Sequence, residues 1–222
     1  MTHAASHVPE PPQSPFEGLS MDAGTDIVAA GGQLEAKLVM DAYRHGIFPW
    51  YDAGDPVLWW CPDPRAILPL DALHVPRRLE RTRRSGRFVV RWDSRFEDVL
   101  RACDENRADG SWIHADMRRC YLALHECGHA HSCEIFEDGE LVGGIYGVAF
   151  GGGFAAESMF HRARDASKVA LVELVARLRA RGFTLLDVQF ATPHLVRFGC
   201  IEIPRAEYLE RVAAAIALDV SF

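Results

Sequence analysis

The chain has 222 residues, 49% hydrophobic and 25% charged, with a formal net charge of -7. That balance buries a sizeable core, one domain with a smaller appendage, and excludes nucleic-acid binding over the whole surface. No apolar run is long enough to span a bilayer, and the first residues lack the basic start and apolar stretch of a secretory signal, so a cytoplasmic protein without a membrane is expected.

Residues 1–24 are rich in Pro, Ser, Gly and acid and read as a disordered tail. Residues 32–45 place Leu34, Leu38 and Tyr43 near helical spacing, with Gly46 as the stop. A loop follows from Ile47 to Arg65, carrying Trp50, Trp59 and Trp60 beside Phe48 and stiffened by four prolines; it reads as a rigid apolar pocket. The next elements are a strand at 87–92, helices at 94–103 and 114–127, and a strand at 131–137. Asp138-Gly139 turns the chain into a strand at 141–150, and another strand spans 153–160. A helix at 167–181 ends at Gly182, a strand runs from 184 to 190, and a short helix spans 205–217. Hairpins followed by a helix crossing to one more strand describe an α+β domain over 66–222, with a small N-terminal domain over 25–65.

Two polar constellations interrupt apolar strands: Glu157 within Phe154–Phe160, and Asp187 with Gln189 within Leu185–Phe190. A buried carboxylate without a partner costs several kcal/mol, so these residues need bonding partners, a ligand or a reaction. By strand alternation Asp187 and Gln189 share one face, roughly 7 Å apart, and Leu186, Val188 and Phe190 share the other. Residues 77–95 carry eight arginines against Glu80 and Asp93, so a phosphate-bearing partner could dock there. Gly143, Gly144, Gly147 and Gly151–Gly153 suggest a cleft wall approached by a ligand or another backbone. The stretch 125–133 holds three His and two Cys but no Cys-x-x-Cys pair, and no metal site is expected.

The chain resembles a known family in several stretches, in order from about 43 to 208. These are Tyr43–Trp50, Leu58–Arg65, Gly128–Ser132, Glu157–Phe160 with Ala166–Lys168, and Leu186–Gln189. Together they are similar to the bacterial leucyl/phenylalanyl-tRNA–protein transferases. The resemblance implies an acetyltransferase-like (GNAT-like) larger domain and transfer of Leu or Phe from aminoacyl-tRNA to proteins beginning with Arg or Lys, which marks them for degradation. It implies Asp187 and Gln189 as catalytic, Glu157 as the reader of the acceptor's first side chain, and Trp50, Trp112, Phe154 and Met159 as the pocket for the aminoacyl adenosine. Arg77, Arg78, Arg81, Arg83 and Arg84 would hold tRNA.

No cofactor is implied: where such a fold would cradle coenzyme A, Arg162–Lys168 offers Asp165 and no glycine. A monomer is expected, and Asp187→Asn is expected to spare folding. The sequence departs from the family at Thr192, where some members carry Asn, and at His161, where Ser is common. The competing reading is a non-catalytic tRNA- or degradation-signal-binding module, disfavoured by the joint presence of Glu157, Asp187 and Gln189.

Overall fold

The structure is a computed structural model that describes residues 14–19, 21, 24–105 and 113–222. The chain runs β1 (Ile27–Ala30), α1 (Ala36–Arg44), β2 (Phe48–Pro49), β3 (Leu58–Trp60), β4 (Arg65–Ile67), a turn of 3-10 helix (Leu70–Ala72) and α2 (Arg77–Arg84). Then follow β5 (Val89–Trp92), α3 (Phe96–Glu105), α4 (Ala115–Glu126), β6 (Ala130–Glu137), β7 (Glu140–Phe150) and β8 (Gly153–His161). The last elements are α5 (Ala166–Ala180), β9 (Leu185–Gln189), α6 (Pro193–Val196), β10 (Ile201–Ile203) and α7 (Arg205–Ile216).

The fold is mixed α/β with two sheets. A three-stranded sheet in the order β1-β3-β2 belongs to the N-terminal region, and a seven-stranded sheet runs β10-β4-β9-β8-β7-β6-β5. β5 to β8 pair antiparallel, as successive hairpins must, and α5 then carries the chain across so that β9 lies parallel to β8. That is the order expected for an acetyltransferase-like domain. Apolar side chains of α5, with Leu79 of α2, form a core on one face of the large sheet; those of α1, α3, α4 and α7 form a second core on the other.

The sequence pattern misses the short strands β1 to β4 and β10, because two to four residues cannot display a period. It also misses α2, whose single buried side chain is Leu79; this helix is sustained by Glu80, which bonds both Arg83 and Arg84. In the stretch expected to be tail, Phe16 is buried, its ring edge-on to Trp59 at 4.9 Å.

The glycines form no cleft wall; they let backbones touch. A Cβ at Gly143 would sit 2.5 Å from that of Ala166 on α5, and one at Gly147 would sit 2.1 Å from the carbonyl oxygen of Ala155. At Gly46, φ is +74°, and a Cβ would meet Leu209 at 2.7 Å and Tyr208 at 2.9 Å. Glycine there both stops α1 and seats it on α7.

Candidate active site

β8 and β9 pair in register only through Gly153–Leu185, Phe154–Leu186 and Ala155–Asp187. Past that point the two strands part. The opening is a cavity of about 370 Å³ lined by Ala156, Glu157, Ser158 and Met159 of β8, by Val188 and Gln189 of β9, and by Phe190 just beyond it. Its floor is apolar, built from Ile145, Met159, Leu171, Val188 and Leu195. Trp50 and Phe190, both more than a third exposed, stand at the mouth with ring centroids 5.6 Å apart, and Trp60 backs Trp50 at 5.2 Å.

Glu157 projects into the wall of this cavity. Tyr43 donates its hydroxyl to Oε1 at 2.7 Å, Tyr121 donates to Oε2 at 2.8 Å, and the Gln189 side-chain amide donates to Oε1 at 3.1 Å. Burial pushes the Glu157 carboxyl up to about 7, although the two tyrosine hydroxyls pull it back down. No arginine or lysine bonds it among the described residues, so it ionises near neutral pH without a fixed counter-charge.

Asp187 has the opposite environment. It is fully buried and receives Arg65 in a two-pronged pair, Nε to Oδ1 at 2.9 Å and one terminal nitrogen to Oδ2 at 2.6 Å. Tyr208 donates to Oδ2 at 3.0 Å, and the Arg65 guanidinium lies between the Phe48 and Tyr208 rings, 4.6 and 4.4 Å from their centroids. Burial alone would lower the Arg65 pKa, but Asp187 beside it more than offsets this and raises it. Asp187 does not line the cavity.

Asp187 reaches Gln189 through the backbone: Oδ1 accepts the Gln189 N–H at 2.9 Å. Gln189 has φ of +57°, a left-handed conformation that costs a residue with a Cβ roughly 1–2 kcal/mol. The bond from Asp187 helps hold it there. Strand alternation therefore ends at Gln189: its side-chain N–H turns to Glu157, and its side-chain carbonyl oxygen accepts no hydrogen bond among the described residues. Strain at one residue in a cavity wall is an observation that points to function.

Of the other expected residues, Trp50 and Met159 line the cavity. Phe154 does not; it precedes the parting of the strands, is buried, and stacks on Phe222 at 5.4 Å. Trp112 lies outside the described residues. Arg77, Arg78 and Arg81 are on α2 and enter no ion pair among the described residues, whereas Arg83 is bonded to Glu80 and Glu173 and Arg84 to Glu80.

Sequence reasoning missed Arg65, Tyr43, Tyr121 and Tyr208 as partners. A tyrosine on an apolar helix stripe signals a buried hydroxyl that needs a partner, but not which one. The His and Cys run at 125–133 disperses: His125 bonds the Ala130 carbonyl and stacks on Phe96, and His131 bonds Asp93.

Residues 67–213 match the leucyl/phenylalanyl-tRNA protein transferase family, and residues 32–63 match its N-terminal domain. A leucyl/phenylalanyl-tRNA–protein transferase from Nitratidesulfovibrio vulgaris is 53% identical over 192 residues, covering 85% of this chain and 82% of the relative. The chain belongs to the leucyl/phenylalanyl-tRNA–protein transferase family. A member from Magnetococcus marinus is 49% identical over 223 residues, covering 98% of this chain and 92% of that protein. Among solved structures, a GCN5-related N-acetyltransferase from Kribbella flavida is 14% identical with a TM-score of 0.42, covering 76% of this chain and 60% of that one. As a member of this family the chain is an aminoacyltransferase acting from tRNA to protein. Among the described residues, no helix is long and apolar enough to cross a membrane.

Proposed function

We propose that this chain transfers Leu or Phe from aminoacyl-tRNA to the α-amino group of proteins beginning with Arg or Lys, creating a degradation signal, and that it works as a cytoplasmic monomer. The observation that carries the acceptor side is Glu157: an acid in a cavity wall, held by hydroxyls and an amide, with no cation bonded to it among the described residues. An incoming guanidinium or ammonium would supply the missing charge. The apolar floor suits a Leu or Phe side chain, and Trp50 with Phe190 offers ring faces for the terminal adenine.

The acceptor amine attacks the ester carbonyl that joins the amino acid to the terminal ribose; the amide bond forms as the ester bond breaks. An aminoacyl ester is already activated, so alignment supplies most of what is needed. The side-chain carbonyl oxygen of Gln189 accepts a hydrogen from the amine and aims its lone pair. With a pKa near 8 the amine keeps a usable neutral fraction, and the proton it sheds ends on the leaving ribose hydroxyl. Asp187, through Arg65 and the Gln189 backbone, keeps that geometry. Arg77, Arg78 and Arg81 take tRNA phosphates, with Arg83 and Arg84 in lesser parts.

The decisive assay incubates the protein with radiolabelled Leu-tRNA or Phe-tRNA and peptides beginning with Arg, Lys or Gln, beside acetyl-coenzyme A as an alternative donor. Label is expected on the Arg and Lys peptides only. Labelling of all three peptides alike would remove the assigned acceptor specificity, and no labelling from either tRNA would sink the reading.

A further inference from the structure

Beyond the cavity lies a set of basic side chains that the transfer step leaves unused. Three elements each place one residue on the cavity wall and a basic residue one step along the same face. On β8, Met159 lines the cavity and His161 follows two residues later, the interval that returns a strand to the same face. On α5, Leu171 lines it and Lys168 lies one turn earlier. On α6, His194 lines it and Arg197, the helix C-cap, comes three residues later.

Two observations tie these side chains to one another and to a ligand. The His194 ring is held below its ordinary pKa first by burial and then by Lys168, Arg197 and His161, so all three lie near it in space. His194 Nε2, shielded from solvent, has no hydrogen-bond partner among the described residues. His161 and Arg197 are exposed and form no ion pair among the described residues. Asp165 is bonded to Lys168 at 2.7 Å and lies 3.8 Å from Arg164, so this acid is shared between two cations.

Cations and an unpartnered imidazole together suit a phosphate. The position suits one as well. In the transfer reading, with the aminoacyl side chain on the cavity floor, the ribose would lie at the mouth and its 5′-phosphate one sugar away, and each basic group lies one step from a lining residue along its element.

We propose that His161, Lys168, His194 and Arg197 form a subsite for the phosphate that joins the last two nucleotides of the aminoacyl-tRNA. The inference rests on the transfer reading above. It gives the enzyme a hold on the RNA backbone beside the reacting ester, and it adjoins the arginines of α2, since Arg78 acts on Asp165, the partner of Lys168.

The test compares 3′-O-phenylalanyl adenosine with the same compound bearing a 5′-phosphate, using the full chain and an Arg peptide. Wild-type protein is expected to favour the phosphorylated donor in kcat/KM by about tenfold, the order of one charge-assisted hydrogen bond. In the double variant His161→Ser with Arg197→Ala, both exposed side chains, that ratio is expected to fall towards one. Arg179→Ala, which removes an exposed charge near the far end of α5, is expected to keep it. A wild-type ratio of one, or a ratio unchanged in the double variant, overturns the subsite. If neither short donor is used, the same variants are compared on full Phe-tRNA, where an unchanged KM overturns the subsite. Failure of wild-type protein on full Phe-tRNA instead overturns the transfer reading, and the subsite with it.

Discussion

Asp187 and Glu157 sit on neighbouring parallel strands, and the fold treats them in opposite ways. Asp187 faces a fixed guanidinium and is committed to structure: it anchors Arg65, Tyr208 and the left-handed backbone of Gln189. Glu157 faces hydroxyls and an amide, and keeps its capacity for a cation from outside. Burial alone therefore does not tell an acid whose charge is already matched from one whose charge is not. What separates them is whether the partner that neutralises the charge is already in the fold.

The largest expected effect breaks the structural member. Asp187→Asn leaves the Arg65 charge buried without its counter-ion, which costs about 3–5 kcal/mol in such pairs, so urea unfolding should shift strongly. The sequence alone suggests that this change would spare folding, because it does not reveal Arg65 as the partner. Replacing both, as Arg65→Met with Asp187→Leu, should cost less than Asp187→Asn alone. Parent-like stability in Asp187→Asn would show that Asp187 is not committed to structure, and the contrast would collapse.

Next comes the member proposed to bind the acceptor. Glu157→Gln keeps shape and removes charge, so transfer to an Arg peptide at low concentration should fall about ten- to hundredfold, equivalent to roughly 1.5–3 kcal/mol. A Gln peptide should lose far less. Because the Glu157 carboxyl sits near 7, the KM for the Arg peptide should fall more steeply in wild type than in Glu157→Gln as pH rises from 6 to 8, the variant keeping only the fall due to the amine. The stability sign is opposite. The folded pKa is raised from 4.5 to about 7, so the folded state holds the proton that the unfolded state has released. Wild-type stability should therefore decline as pH rises through that window, and Glu157→Gln should flatten the decline in thermal melts. An equal fall of KM in wild type and Glu157→Gln would move acceptor recognition to another group.

Much of this contrast was legible in the sequence, but not its resolution. Glu157, Asp187 and Gln189 stand out as polar residues in apolar strands, and the long elements α3, α4 and β6 to β9 announce themselves by period and by turns such as Asp138-Gly139. The partners do not. Arg65 reaches Asp187 across 122 residues and Tyr43 reaches Glu157 across 114, and no local pattern encodes such pairings. The parting of β8 from β9 is equally hidden, since Phe154 and Met159 look alike in a strand yet fall on either side of the point where pairing ends. The glycines misled for a related reason: a close backbone approach and a ligand wall make the same demand for a missing Cβ.

A smaller effect separates the side chain of Gln189 from its backbone. Gln189→Ala and Gln189→Gly both remove the side-chain carbonyl proposed to aim the amine, so both should lower single-turnover transfer by about fivefold, the order of one neutral hydrogen bond. They should differ in stability. Glycine accepts the +57° backbone freely and alanine does not, so the Gly variant should be more stable than the Ala variant by about 1 kcal/mol. Equal stability would mean that the left-handed turn stores little strain, and that Asp187 has less to hold.

The same distinction between committed and uncommitted charge runs through α2, where the expected effects are the smallest per residue. Arg83 and Arg84 already have Glu80, and Arg83 also has Glu173, whereas Arg77, Arg78 and Arg81 enter no ion pair among the described residues. Binding to a phosphate releases counter-ions only if the cation is available to bind it. Changing Arg77, Arg78 and Arg81 together to Ala should therefore flatten the log-log salt dependence of tRNA binding by about 0.7–0.9 for each phosphate no longer neutralised. Arg84→Ala should move the slope less than any one of those three, and Arg83→Ala should register in unfolding rather than in the slope. A titration in which all five arginines contribute equally would show that tRNA displaces Glu80 and Glu173 from their partners; one in which none contributes would leave α2 as a solvated surface helix.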